Sequence, residues 1–315
     1  MDFYGLVDGS DASLRSFLNS LSGVDQVGAQ TRASMLATRS IKTKAKNWAI
    51  DLAISMVDLT TLEGADTPGK IRALCSKAVR PDPIDPSIPS VGAVCVYNDM
   101  VSIARKHLDL IGGSHVPVAA VTTAFPSGRA SMAVKIQDTR DALDAGAGEI
   151  DMVIDRGAFL AGNFLDVFNQ ILQIRQLCGD KAHLKVILET GELVTYDNVR
   201  RASFLAMLAG ADFIKTSTGK ISPAATPPVV LVMLEAVRDF YEMTGRRIGV
   251  KPAGGIRNTK DAIRQLVLVN ETAGPEWLSP TLFRIGASAL LNDLLMQRMK
   301  MRDGYYPSPT YVTID

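Results

Sequence analysis

Eight short β-rich runs, separated by stretches with helical spacing, restrict the fold of this 315-residue chain more than any other feature. They fall at residues 56–60, 93–97, 118–122, 149–153, 184–189, 213–216, 249–252 and 282–286. Helix-start signals stand between them, as at Thr67-Pro68 and across Asn258-Thr259-Lys260-Asp261. Strands alternating with helices predict a parallel sheet, and eight such units favour closure into a single (β/α)8 barrel. An open doubly wound sheet is the alternative.

The units divide the chain into an N-terminal helical extension (1–45), a barrel (46–300) and a tail (301–315). The extension is more than a barrel needs. It reads as a helical cover over the barrel's N-terminal mouth or as a contact in a homo-oligomer. The stretch PDPIDPSIPS, 81–90, interrupts a β-α unit and is expected to be a loop rather than a linker. The tail carries Tyr305, Tyr306 and Tyr311, three aromatic rings available to cover a site.

Successive strand residues point to opposite faces, so each interior face can be tested for charge. Glu149, Asp151 and Val153 share a face; so do Lys185, Ile187 and Glu189, then Phe213, Lys215 and Ser217, then Gly249, Lys251 and Ala253, with Asp58 and Thr60 on the first strand. At least Asp58, Asp151, Lys185, Lys215 and Lys251 are therefore expected to converge inside the barrel. Unpaired buried ions are strongly unfavourable, so they must compensate one another. Interior salt bridges that merely fix the barrel are the plain alternative, most fitting for Asp58 and Lys185. Lys215 and Lys251 end their strands, where barrel active sites are built, and there chemistry is the better reading.

That chemistry is an amine attacking a carbonyl. A free lysine holds its proton to about pH 10.4, whereas attack needs the neutral amine near pH 7. A second ammonium about 6 Å away, at an effective dielectric near 20, disfavours the first by roughly 3 kcal/mol. A lysine pair, with modest burial, is thus a device for making one amine reactive. Asp151 would balance the remaining charge and help move protons.

Glycines follow consecutive strands. Gly254-Gly255-Ile256-Arg257 comes after the seventh and Gly286-Ala287-Ser288 after the eighth, with Gly219-Lys220 able to close the same region from the sixth. Backbone N–H groups freed by glycine, and a following helix N-terminus, suit a phosphate group, although tight turns alone would also use these glycines.

Other chemistries find little support. Cys75, Cys95 and Cys178 are scattered, as are His107, His115 and His183, which argues against a disulfide framework and a metal site and fits a reducing, cytoplasmic setting. The formal net charge of +1 is no footprint for nucleic acid or membrane, and no apolar run is long enough to span one. Position 214, where a P-loop ending in Gly219-Lys220 needs glycine, is Ile214, and Asp151 stands where a dinucleotide fingerprint after Gly146-Ala147-Gly148 needs its third glycine.

The strings MVDLTTL, AVCVYN, EIDMVIDRGAFLAGN, LKVILETGEL, GADFIKTSTGK, VKPAGGIR and FRIGAS, in this order, resemble the deoxyribose-phosphate aldolase family over roughly residues 45–300. The resemblance implies a lyase that cleaves 2-deoxy-D-ribose 5-phosphate reversibly to D-glyceraldehyde 3-phosphate and acetaldehyde without a cofactor or metal. Lys215 would form the Schiff base, Lys251 would lower its proton affinity, and Asp151 would act with a bound water. Asp58 and Lys185 match the same polar network, Thr60 and Thr218 match positions near sugar hydroxyls, and Cys95 matches a cysteine near the pocket. Gly219, Lys220, Gly254, Gly255, Arg257, Gly286 and Ser288 match the phosphate site. Ser288-Ala289 stands where many members have two serines. The rival readings are another barrel enzyme acting on a phosphorylated sugar and a non-catalytic binding scaffold.

Overall fold

The computed structural model describes residues 4–308 and 312. Eight parallel strands lie at β1 (Val57–Thr60), β2 (Ala93–Tyr97), β3 (Val118–Thr122), β4 (Glu149–Val153), β5 (His183–Ile187), β6 (Phe213–Lys215), β7 (Gly249–Lys251) and β8 (Ile285–Ala287), in the order β7-β6-β5-β4-β3-β2-β1-β8. Bridges from Val250 to Phe283 and from Ala253 to Gly286 join the two ends, so the sheet closes on itself. This is the (β/α)8 barrel. Strand eight begins three residues later than the sequence pattern suggests, because Leu282 and Phe283 meet only β7, through the hydrogen bond from Val250 N to Leu282 O and the Phe283 bridge.

The helices between strands start where short polar residues can accept from free N–H groups. Thr67 Oγ1 accepts from Lys70 N before α4 (Pro68–Val79), and Asn258 Oδ1 accepts from Asp261 N before α11 (Thr259–Thr272). The outward side chains of the strands, such as Val94, Val96, Ile150, Met152, Ile214 and Val250, join the main apolar core beneath the helices. Alternation then forces their neighbours inward.

Among the described residues, the helices of the extension pack on the outer helical layer rather than across the N-terminal mouth. Helix α1 (Asp11–Ser20) packs on α8 (Phe164–Cys178) and α9 (Tyr196–Leu208), and α2 (Gln26–Ala37) on α10 (Pro227–Thr244) and α11. Helix α3 (Thr43–Ser55) fits between α11 and α12 (Leu290–Asp303) and leads directly into β1. Leu14, Leu18, Ala29, Ala33 and Leu36 are buried on these outer helices, which explains the placement: their apolar stripes face the helical layer rather than the barrel floor. Residues 81–90 form a loop, tied to α12 by Arg302 near Asp82 and Asp85. Tyr305 and Tyr306 are exposed, the Tyr306 ring lying 4.0 Å from Lys300 Nζ on α12, so neither covers the barrel mouth; Tyr311 lies outside the described residues.

The floor of the barrel is a fit between two strands. Phe213 and Gly249 are register partners, and a Cβ on Gly249 would come within 2.2 Å of the Phe213 ring. Gly249→Ala is therefore expected to destabilise the fold by about 1–3 kcal/mol, read as a lowered unfolding midpoint in urea. Adding Phe213→Leu should recover part of that loss.

Candidate active site

The sequence places a lysine at the last residue of β6 and another at the last residue of β7, and the register makes Lys215 and Lys251 direct neighbours. Across the interior, Asp151 of β4 receives both. Lys215 Nζ and Lys251 Nζ each lie 2.7 Å from the same atom, Asp151 Oδ2. Sharing one oxygen places both nitrogens together at one end of the barrel. Lys185 Nζ reaches the other oxygen, Asp151 Oδ1, at 3.1 Å.

Beneath them the network continues. Lys251 Nζ is 2.6 Å from Asp58 Oδ2, Lys185 pairs with Glu149, and Arg284 joins Asp58 Oδ1 at 2.6 Å to Glu149 Oε1 at 3.1 Å. Glu149 and Arg284 thus belong to the cluster, although the sequence reading gave neither a site role. For Arg284 the signal existed: within run 282–286 it alternates with Phe283 and points inward with Gly286. Asp58, Asp151, Lys185, Lys215 and Lys251 converge as expected.

Charge balance distinguishes Lys215. Asp58, Glu149 and Asp151 supply three negative charges, and Lys185, Lys251 and Arg284 supply three positive ones. The cluster is neutral only if Lys215 carries no proton, and all seven side chains are buried. A surplus charge there has no solvent to stabilise it.

The titration directions follow. Burial, then the neighbouring ammonium of Lys251, push the proton affinity of Lys215 below the ordinary lysine value, against the opposing pull of Asp151. Burial outranks the neighbouring cation, the reverse of the weighting drawn from sequence, because Lys215 is wholly enclosed rather than modestly so. For Lys251, burial also disfavours the cation, but Asp151 and Asp58 outweigh it and hold the ammonium well above its ordinary range. Lys185 is likewise raised, burial being overcome by Asp151 and Glu149. Burial would lift Asp151, yet Lys185, Lys215 and Lys251 keep it well below the usual carboxylate range. Lys215 is the lysine of the three with any exposure, 2% against 0% for Lys185 and Lys251, so it is the one a small carbonyl can meet.

The residues after Lys215 explain how it is held. Thr216 Oγ1 accepts from Ala253 N at 2.9 Å and Ser217 Oγ donates to Ala253 O at 2.6 Å, tying the strand-six loop to the strand-seven loop. Thr218 N donates to Glu189, a fully buried carboxylate in the left-handed region at φ 54°, whose proton affinity burial raises. Gly219, at φ 80°, then turns the chain outward.

Above the cluster a cavity of about 290 Å³ opens between the loops after β1, β6, β7 and β8. Thr60, Thr218, Gly219, Lys220, Gly254 and Ser288 line it, joined by Thr61, Leu62, Glu63 and Lys70, which the sequence reading did not single out. Gly255, Arg257 and Gly286 are not in the lining. Arg257 is exposed. Gly286 instead makes room for a catalytic candidate, since a Cβ there would lie 3.3 Å from Lys251 Cε. Leu62 of the cavity lining belongs to a small separate apolar cluster with Cys95, Ala119 and Val121, on which Tyr97 and Phe125 pack. Cys95 Sγ is 3.9 Å from Asp151 Oδ2, and burial raises its thiol proton affinity, as it does for Cys75 and Cys178, both pushed up to about 12. Among the described residues, no group of three or more His, Cys, Asp or Glu side chains is arranged to hold a metal ion, and no helix is long and apolar enough to cross a membrane.

Residues 52–295 match the profile of the DeoC/LacD family aldolases. The chain is 47% identical over 278 residues to the deoxyribose-phosphate aldolase of Homo sapiens, a match spanning 84% of this chain and 86% of that one. The corresponding enzyme of Mus musculus is 46% identical over 269 residues, spanning 83% and 84%. A solved structure from Toxoplasma gondii shares the fold, with a TM-score of 0.72 at 24% identity over 82% of this chain and 97% of that chain. A barrel closed around paired lysines and this extent of likeness lead to one placement: the chain belongs to the DeoC/LacD family of aldolases.

Proposed function

We propose that the chain is a Schiff-base aldolase that cleaves 2-deoxy-D-ribose 5-phosphate reversibly into D-glyceraldehyde 3-phosphate and acetaldehyde, with Lys215 as the nucleophile. The observation that carries this reading is the single oxygen, Asp151 Oδ2, held by both Lys215 and Lys251 in a cluster that balances when Lys215 is neutral.

The neutral amine of Lys215 adds to C1 of the open-chain sugar, and loss of water leaves an iminium. The cation now stands where the cluster has no spare negative charge. Electrons of the C2–C3 bond flow to nitrogen as the C3 hydroxyl gives up its proton, releasing glyceraldehyde 3-phosphate and leaving a neutral enamine. Protonation at C2 and hydrolysis then free acetaldehyde and restore Lys215. The cluster favours the enamine step because that step removes a charge the site does not compensate. Asp151, held ionised by the ammonium groups of Lys185 and Lys251, orients the amine and a bound water that carries protons, rather than donating one itself.

The surroundings suit the two ends of the substrate. The cavity with Gly219, Lys220, Gly254 and Ser288 provides backbone N–H groups and a cation for the phosphate, while Thr60 and Thr218 in the same lining offer hydroxyls to the sugar. The apolar cluster of Cys95, Ala119 and Val121, which reaches Asp151 through Cys95, suits the two-carbon end, which leaves as acetaldehyde. No cofactor enters this scheme, and three unpaired buried cysteines support a reducing, cytoplasmic setting.

Trapping tests the covalent step. Incubation with acetaldehyde and borohydride should replace one hydrogen on Lys215 with an ethyl group, located by peptide mass spectrometry; no adduct, or an adduct confined to surface lysines, would sink the reading. A second outcome concerns Lys251→Met. Removing that cation leaves Asp151 free to hold the Lys215 proton, so the amine keeps it to higher pH. Turnover at pH 7 should fall by roughly 100-fold or more, with the rising limb of the pH–rate profile displaced toward alkaline pH. An unshifted profile would show that Lys251 does not set the state of Lys215.

A further inference from the structure

We infer that Glu63 is a specificity-determining residue that discriminates against the phosphate dianion: it is a displaceable counter-ion for Lys220, set across the mouth of the cavity above Lys215. The inference rests on the phosphate-site reading given above and adds to it the term that opposes binding.

Both lysines of that cavity already have a carboxylate. Lys70 Nζ lies 2.8 Å from Asp66 Oδ1, and Lys220 Nζ lies 2.9 Å from Glu63 Oε1. The two pairs differ in how firmly they are held. Asp66 is 3% exposed, also accepts from Thr61 Oγ1 at 2.8 Å and Glu63 N at 3.0 Å, and is fixed by its own loop. The Glu63 side chain is 65% exposed and has Lys220 as its sole hydrogen-bond partner among the described residues. An exposed pair of this kind is weak, so a stronger anion can break it.

Topology makes the contact a strap. The strands run β6, β7, β8, β1 around this side of the closed barrel, so a bond between the loops after β6 and β1 passes over the loops after β7 and β8, where Gly254 and Ser288 line the cavity. A phosphate entering there competes with Glu63 for Lys220, and the carboxylate stays nearby as a like charge. A substrate with a neutral hydroxyl at the same position meets no such opposition. Glu63 therefore narrows the advantage of a phosphorylated sugar over an unphosphorylated one.

The test compares steady-state kinetics of the full chain and its Glu63→Gln variant on 2-deoxyribose 5-phosphate and on 2-deoxyribose. The variant should lower KM for the phosphorylated sugar by about three- to fivefold, the upper scale of an exposed ion pair, while kcat on either sugar and KM for the unphosphorylated one stay within about twofold. Equal changes for both sugars, or no change for either, would overturn the role of Glu63. Lys220→Gln separates this from the reading beneath it: a drop in the preference for the phosphorylated sugar keeps the phosphate site, whatever Glu63→Gln does. An unchanged preference in Lys220→Gln removes the site and the counter-ion role together, as would the absence of turnover of both sugars by the native chain.

Discussion

One carboxylate oxygen, Asp151 Oδ2, accepts from two lysines on adjacent strands, and the arrangement of the barrel interior follows from that sharing. Two ammonium groups on one oxygen inside an apolar shell would leave the seven-member cluster with an unbalanced positive charge. The molecule relieves it by leaving Lys215 the weakest base of the group, while Lys251, facing two carboxylates, and Lys185, facing three, keep their protons. Reactivity is thus a property of the set: the same side chain with any one of the three other cations removed would regain its proton. The cost is borne by the fold, because a neutral buried amine is maintained in a state the unfolded chain would not choose at neutral pH.

Local sequence places the groups with little freedom. Period-two alternation sends Val94, Val96, Ile150 and Met152 outward into the core and their neighbours inward, so charged inward residues find their partners beside them or across the barrel interior, as Lys215 and Lys251 do at Asp151. Glycine finishes the arrangement where side chains would collide: Gly249 admits the Phe213 ring at the floor, and Gly286 leaves room for the stem of Lys251. Thr216 and Ser217 then lock the loop behind Lys215 to Ala253, so the nucleophile sits on a rigid edge.

Much of this was legible in the chain. Strands β2, β3 and β4 match their sequence runs end to end, because each is a five-residue alternating or continuously buried segment with clear flanks. Lys215 and Lys251 were legible as strand-terminal lysines, and Asp151 through its face. What escaped were features that depend on tertiary closure. Arg284 faces inward within its run, but its partners Asp58 and Glu149 lie on strands distant in sequence and are joined to it only when the barrel closes. Glu63 enters the cavity from a loop whose path no periodicity encodes, and Lys70 from the first turn of α4, which that loop positions. The extension's placement followed from apolar stripes that match the outer helices, a match between surfaces distant in sequence.

The central claim is that Lys215 is the neutral member of the cluster at neutral pH while Lys251 is charged. Nuclear magnetic resonance of lysines labelled at the ε-carbon, with the two signals assigned by Lys215→Arg and Lys251→Arg, titrates both groups directly in the native fold. The account predicts a Lys215 signal that titrates well below the ordinary lysine midpoint of about pH 10.4 and a Lys251 signal that stays in the charged form past it. Lys215 titrating at or above that midpoint, or Lys251 losing its proton first, would contradict it.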